Sequence, residues 1–125
     1  MSRRGAPDGR PRAGTLKALS AVLLHGLAGA ALTLASTFVG ARTGIAVYPD
    51  VMGCESGCRV AATGWPLIFV RDYLGMSVVD TADIMEVWFA ADRFAWPPFL
   101  LNVAVWGLAS LAVHAGVGRW RAGRS

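Results

Sequence analysis

From Ala18 to Ala41 the chain runs for 24 residues without Asp, Glu, Lys or Arg. About 20 apolar residues, each rising ~1.5 Å along a helix, cover the hydrocarbon core of a bilayer. The run therefore predicts a membrane-crossing helix. His25 is the only group in it that ionises near neutral pH. A hydrophobic content of 54% agrees with this reading, being high for a water-soluble domain of 125 residues. Val39-Gly40-Ala41 resembles a signal-peptide cleavage site, and a basic segment precedes the run. A signal core is only ~7–15 residues long, so the length favours an uncleaved helix.

A second span is expected over Pro98–Gly118, because no charged residue lies between Arg93 and Arg119. Pro97 and Pro98 suit a helix's first turn, where a missing N–H costs nothing. Trp96 and Trp120 stand where aromatic belts form. The net charge of +4 is unevenly placed. Residues 1–17 carry Arg3, Arg4, Arg10, Arg12 and Lys17 against Asp8, and the other end carries Arg119, Arg121 and Arg124 with no acid. Residues 42–93 carry four arginines and seven carboxylates. Basic ends belong in the cytoplasm by the positive-inside rule, and two spans return both termini to one side. The pattern is that of a membrane protein and not of a nucleic-acid binder, since no basic patch is interleaved with aromatics.

Lipid supplies no hydrophobic drive for two spans to pair, so small and polar residues must supply it. His25, Gly29, Thr33, Ser36 and Gly40 share one side of the first helix, and Asn102, Ala109, Val113 and Gly116 share a side of the second. These stripes are expected to face each other. His25 and His114 read more readily as hydrogen-bonded packing residues than as a proton or ion relay.

The outer segment, residues 42–97, reads as extended chain and turns up to Gly75. Asp80 is then an N-cap candidate, with Asp83 placing negative charge in the first turn. A helix is expected from about Thr81 to Phe94. On it Ile84, Val87, Trp88, Ala91 and Ala95 form an apolar arc, which Met85, Phe89 and Trp96 extend and Asp92 interrupts. Such a helix would lie at the membrane interface. Asp80, Asp83 and Glu86 spread too widely around it for a cation site and read as a solvated face.

Cys54 and Cys58 are the only cysteines. An outer location makes them a structural disulfide candidate. The sharper alternative is a thiol–disulfide or copper(I)-handling pair. The segment holds no histidine to complete a metal site and no His or Lys to act as a base toward a nucleophile, so no cofactor, metal or catalytic residue is assigned.

Gly64-Trp65-Pro66-Leu67, followed by Phe99-Leu100-Leu101-Asn102 and Trp106, resembles small bacterial two-span membrane proteins of unknown function. The resemblance covers most of residues 16–118. It implies a layout and no activity.

The expected fold is thus all-α: a two-helix transmembrane hairpin with an extracytoplasmic loop carrying one short amphipathic helix. Residues 1–15 would be a disordered cytoplasmic tail, 16–41 and 98–118 the spans, 42–97 the outer loop and 119–125 a second cytoplasmic tail. The expected location is the bacterial cytoplasmic membrane. The expected role is that of a non-enzymatic interaction or accessory subunit, whose partners are the bilayer and either another membrane protein or a second copy.

Overall fold

The computed structural model describes residues 13–76 and 80–124. Of the disordered tail expected over residues 1–15, residues 1–12 lie outside these, and residues 13–15 are corrected to the first turn of a helix. Helix α1 covers Ala13–Ala35 and ends in a 3₁₀ turn, Ser36–Phe38. Helix α3 covers Trp96–Ala122, with prolines in its first turn and Arg119 and Arg121 in its last. Between them stand strands β1 (Arg42–Ala46), β2 (Cys58–Thr63) and β3 (Val70–Asp72), the single-turn helix α2 (Ile84–Val87), and strand β4 (Asp92–Phe94).

The two long helices are apolar on every side. Only 11% and 6% of their most apolar stretches are buried, and Val22, Leu27 and Leu108 stand largely exposed. A helix hydrophobic all round needs an apolar surrounding. Both helices are long and apolar enough to cross a membrane. They pack on each other where side chains are smallest. A Cβ added to Gly29 would fall 2.4 Å from the Val103 carbonyl oxygen and 2.8 Å from the Gly107 nitrogen. Those are backbone atoms and cannot swing aside.

The segment between the helices overturns the all-α expectation. It forms a four-stranded antiparallel meander in the order β1-β2-β3-β4. Arg42 pairs with Ala62 and Ala46 with Cys58; Thr63 pairs with Val70; Val70 pairs with Phe94 and Asp72 with Asp92. The fold is therefore mixed helix and sheet. Alternation along the strands sends Gly44, Ala46, Val60 and Ala62 inward and Ile45 and Arg59 outward. The strands are short, and their inward positions are mostly Ala or Gly, so the period-two signal is faint against the turn residues around them.

The helix expected over residues 81–94 is also corrected. Only Ile84–Val87 is helical. Ala90 then takes a positive φ of 58° and reverses the chain into β4. The N-cap is Asp83, whose carboxylate accepts from the Met85 N–H at 2.9 Å, and not Asp80. Of the aromatics expected on one helical face, Trp88 and Phe89 stand in the turn after α2, and Trp96 opens α3. Phe94 on β4 packs against Phe69, Trp96 and Phe99 with ring centres 4.9–5.7 Å apart. Asp92, out of place on an apolar helical arc, is a ladder residue opposite Asp72.

Two small cores result. One gathers Ala46, Tyr48, Cys54, Val60 and Tyr73 beneath the β1–β2 connection. The other is the aromatic cluster around the fully buried Phe69.

The close approach at Gly29 yields a test. Cysteines replacing His25 and Ser110, which touch across the seam, are expected to form an interhelical crosslink readily. Adding Gly29→Leu should abolish it by wedging the helices apart, while Gly26→Leu, where open space surrounds the site, should leave it intact.

Candidate functional site

The outer sheet is fastened to the helices through four residues, Gly64-Trp65-Pro66-Leu67, which leave β2 and lead into β3. Backbone here cannot use strand partners, and buried unpaired polar groups are costly. Side chains from β1, from the 3₁₀ turn after α1 and from α3 satisfy them. Arg42 Nη1 donates to the Gly64 and Pro66 carbonyls at 3.3 and 3.0 Å. The Trp65 N–H donates to Ser36 Oγ at 3.0 Å, and the Trp65 carbonyl accepts from Trp106 Nε1 at 3.1 Å. Asn102 takes both polar groups of Leu67: its Oδ1 accepts from the N–H at 3.0 Å and its Nδ2 donates to the C=O at 2.7 Å. Thr63 Oγ1 adds a bond to the Thr37 carbonyl at 2.7 Å. The Trp65–Pro66 peptide is cis, and Gly64 has a φ of 113°. A Cβ on Gly64 would meet the Phe69 ring at 2.5 Å, so only glycine fits this corner.

The two halves of the motif seen in the sequence therefore touch. Asn102 and Trp106 on α3 hold the backbone of Trp65 and Leu67.

Beside this clip lies an apolar groove of about 870 Å³. The last turns of α1 contribute Leu34, Ala35 and Phe38; α2 contributes Ile84, Met85 and Val87, with Trp88 at its end; Phe94, Trp96 and Phe99 close it. Trp88 is 84% exposed and Phe38 81%. Large apolar patches of this kind mark protein or membrane contact surfaces.

The sheet holds an unusual charge pair. Asp72 and Asp92 oppose each other across β3 and β4, both buried. Among the described residues, neither Asp72 oxygen has a hydrogen-bond donor, nor does Asp92 Oδ1. Asp92 Oδ2 accepts from the Asp83 N–H at 2.6 Å. Burial raises the Asp92 carboxyl to about 6 from its ordinary 3.8, with Glu86 and Asp72 pushing the same way against the Asp83 bond. Two adjacent carboxylates cannot both ionise cheaply, and one shared proton relieves them. Nearby, the Tyr48 hydroxyl donates to the Asp72 backbone carbonyl at 2.8 Å, and burial raises its own pKa. The Tyr73 hydroxyl donates to the Asp50 carboxylate, which lowers the Asp50 pKa, and Arg93 lies over the Tyr73 ring at 4.1 Å.

Cys54 and Cys58 are joined by a disulfide that closes the β1–β2 connection. Cys54 is buried in the small core, and Cys58 opens β2 opposite Ala46.

The residues expected to pair the helices divide among several roles. His25 reaches Ser110 Oγ through Nδ1 at 3.0 Å and meets the His114 ring edge-on, with centres 5.6 Å apart. Gly29 lies against α3, and Thr33 is fully buried. Ser36 donates to the Thr33 carbonyl at 2.6 Å and serves Trp65 rather than α3. Gly40 lies beyond the 3₁₀ turn at φ 78°, with open space around it. On α3, Asn102 serves Leu67, Ala109 and Val113 are exposed, and open space surrounds Gly116. The close α3 contacts run through Val103, Gly107 and Ser110, one residue along from a stripe begun at Asn102. Gly107-x-x-Ser110 was a readable small-and-polar spacing, but Asn102 drew the origin of the stripe to itself.

Two outcomes follow. Asn102→Leu leaves both polar groups of Leu67 without a partner, at ~1–3 kcal/mol each. It is expected to lower unfolding stability by about 3 kcal/mol and to expose the Trp65–Leu67 segment to proteolysis. For the acid pair the sign follows from linkage: the folded chain binds the Asp92 proton more tightly than the unfolded chain. Stability is therefore expected to fall as pH rises from about 4 to about 6 and to level off above that. Asp92→Asn, whose amide donates to Asp72, should raise the melting temperature at pH 8 and flatten this slope; a melting curve series checks both.

No protein-family model matches the chain, and no curated protein or solved structure matches it either.

Proposed function

We propose that this chain is a non-catalytic accessory subunit of a bacterial cytoplasmic membrane, kin to the small two-span proteins that its motif resembles. Both termini would face the cytoplasm, and the disulfide-closed sheet would stand outside. Two apolar helices without a covering core and basic residues at both ends support this topology.

The observation that carries the role is the junction groove. It lies where α1 ends and α3 begins, and all of its lining residues are apolar. Such walls give contact area without a group that could move a proton or bind a metal. The Asn102–Leu67 clip ties the sheet to α3, and α2 packs beside strand β4 of that sheet. The occupant in this reading is an apolar helix of another membrane protein, docked by the helix-in-groove mode.

A photoreactive phenylalanine replacing Trp88 tests this in intact membranes. The expected result is an adduct with one other membrane protein, lost when Met85→Asp and Ile84→Asp charge the groove. An adduct of twice the chain's mass would assign the groove to a second copy. Label carried by lipid alone would overturn the role while leaving the topology standing.

A further inference from the structure

The far end of the helix pair carries a second recess with a different chemistry. It is a niche of about 550 Å³ between the middle of α1 and the basic half of α3. Leu24, Ala28, Val113 and Val117 form its walls. His25, Ser110, His114 and Arg121 supply its polar lining. The His25–Ser110 bond fixes one imidazole, and His114 packs edge-on against it while remaining exposed.

Among the described residues, the charge around this recess has one sign. From Phe94 to Ser125 the chain carries no Asp or Glu. Lys17, near the start of α1, adds a further cation at the same end of the antiparallel pair. Arg124 is stacked over Trp120 at 4.0 Å, whereas Arg121 lines the recess. Among the described residues no carboxylate forms a part of the lining. Apolar walls with a guanidinium at the mouth match an amphiphile with a negatively charged head. A guanidinium forks onto phosphate oxygens, and basic pockets between spans on the cytoplasmic side hold anionic headgroups. A cationic occupant such as a metal ion would meet Arg121 with like charge.

We propose that this niche binds one anionic phospholipid from the leaflet at the basic ends, with its phosphate on Arg121 and an acyl chain running inward along Val117 and Val113. The proposal rests on the membrane topology above but not on the role of the junction groove.

The test uses the full chain in detergent and in nanodiscs, read by native mass spectrometry. Phosphatidylglycerol is expected to be retained over phosphatidylcholine by about fivefold, the preference one surface arginine confers. Arg121→Gln should remove that preference, and Arg119→Gln should keep it. Equal retention of the two lipids would overturn the proposal. So would an equal loss in both variants, which would mean a diffuse basic surface. Inorganic phosphate that displaces the lipid at millimolar concentration would assign the niche to a soluble anion and overturn it too. Alkaline extraction separates the two readings: a chain that leaves the membrane refutes the topology itself, whereas one that stays but shows no lipid preference refutes only the niche.

Discussion

The pair of hydrogen bonds between Asn102 and the backbone of Leu67 is what the remaining architecture depends on. An amide on a membrane-type helix is expensive unless both its donor and its acceptor are used. Leu67, in a turn with no strand neighbour, presents one of each at matching spacing. Satisfying both partners at once fixes where the outer sheet sits over the helix ends. Ser36 and Trp106 then close the remaining polar groups of Trp65, and Arg42 those of Gly64 and Pro66. From the Gly64 carbonyl to the Leu67 carbonyl, every backbone donor and acceptor has a side-chain partner. The sheet is small and its strands run three to six residues, so its position is decided by this clip and the Phe69 aromatic cluster rather than by a large core.

With that junction in place, the two ends of the helix pair acquire different surfaces. At the sheet end, Phe38, Trp88 and Trp96 help line an apolar groove. At the basic end, Arg121 and the histidines give a recess suited to a negative head. Tight packing between these regions, at Gly29 and Gly107, holds the helices together by backbone proximity rather than by long side chains. The buried Asp72–Asp92 pair lies apart from both. It makes the sheet sensitive to acid in the direction opposite to that of an ion-paired carboxylate, because its favoured state retains a proton.

The long helices were legible because their signal is additive: each apolar residue in a charge-free run argues for the same element. The turn at Gly75 and the disulfide candidate were legible for local reasons as well. The sheet was not. β2 reads Cys-Arg-Val-Ala-Ala-Thr, whose alternation rests on Val60 and two alanines, and β3 and β4 are three residues each. The aromatic run from Trp88 to Trp96 has helical spacing by coincidence. Its residues belong partly to the turn after α2, partly to β4 and partly to the start of α3, and the positive φ at Ala90 and the extended backbone at Ala95 separate them.

By itself the sequence determined two apolar helices of spanning length, the placement of charge at their outer ends and a cysteine pair close enough to bridge, since each of these depends on residues near in the chain. Only the tertiary structure decided that the outer segment is a sheet, that Asn102 and Trp106 reach back to Trp65 and Leu67, and that Asp72 meets Asp92. The physical reason is range. The pairing of β3 with β4 and the closure of polar groups at the junction join residues 20 to 41 positions apart, and no local periodicity encodes which distant partner will complete a hydrogen bond.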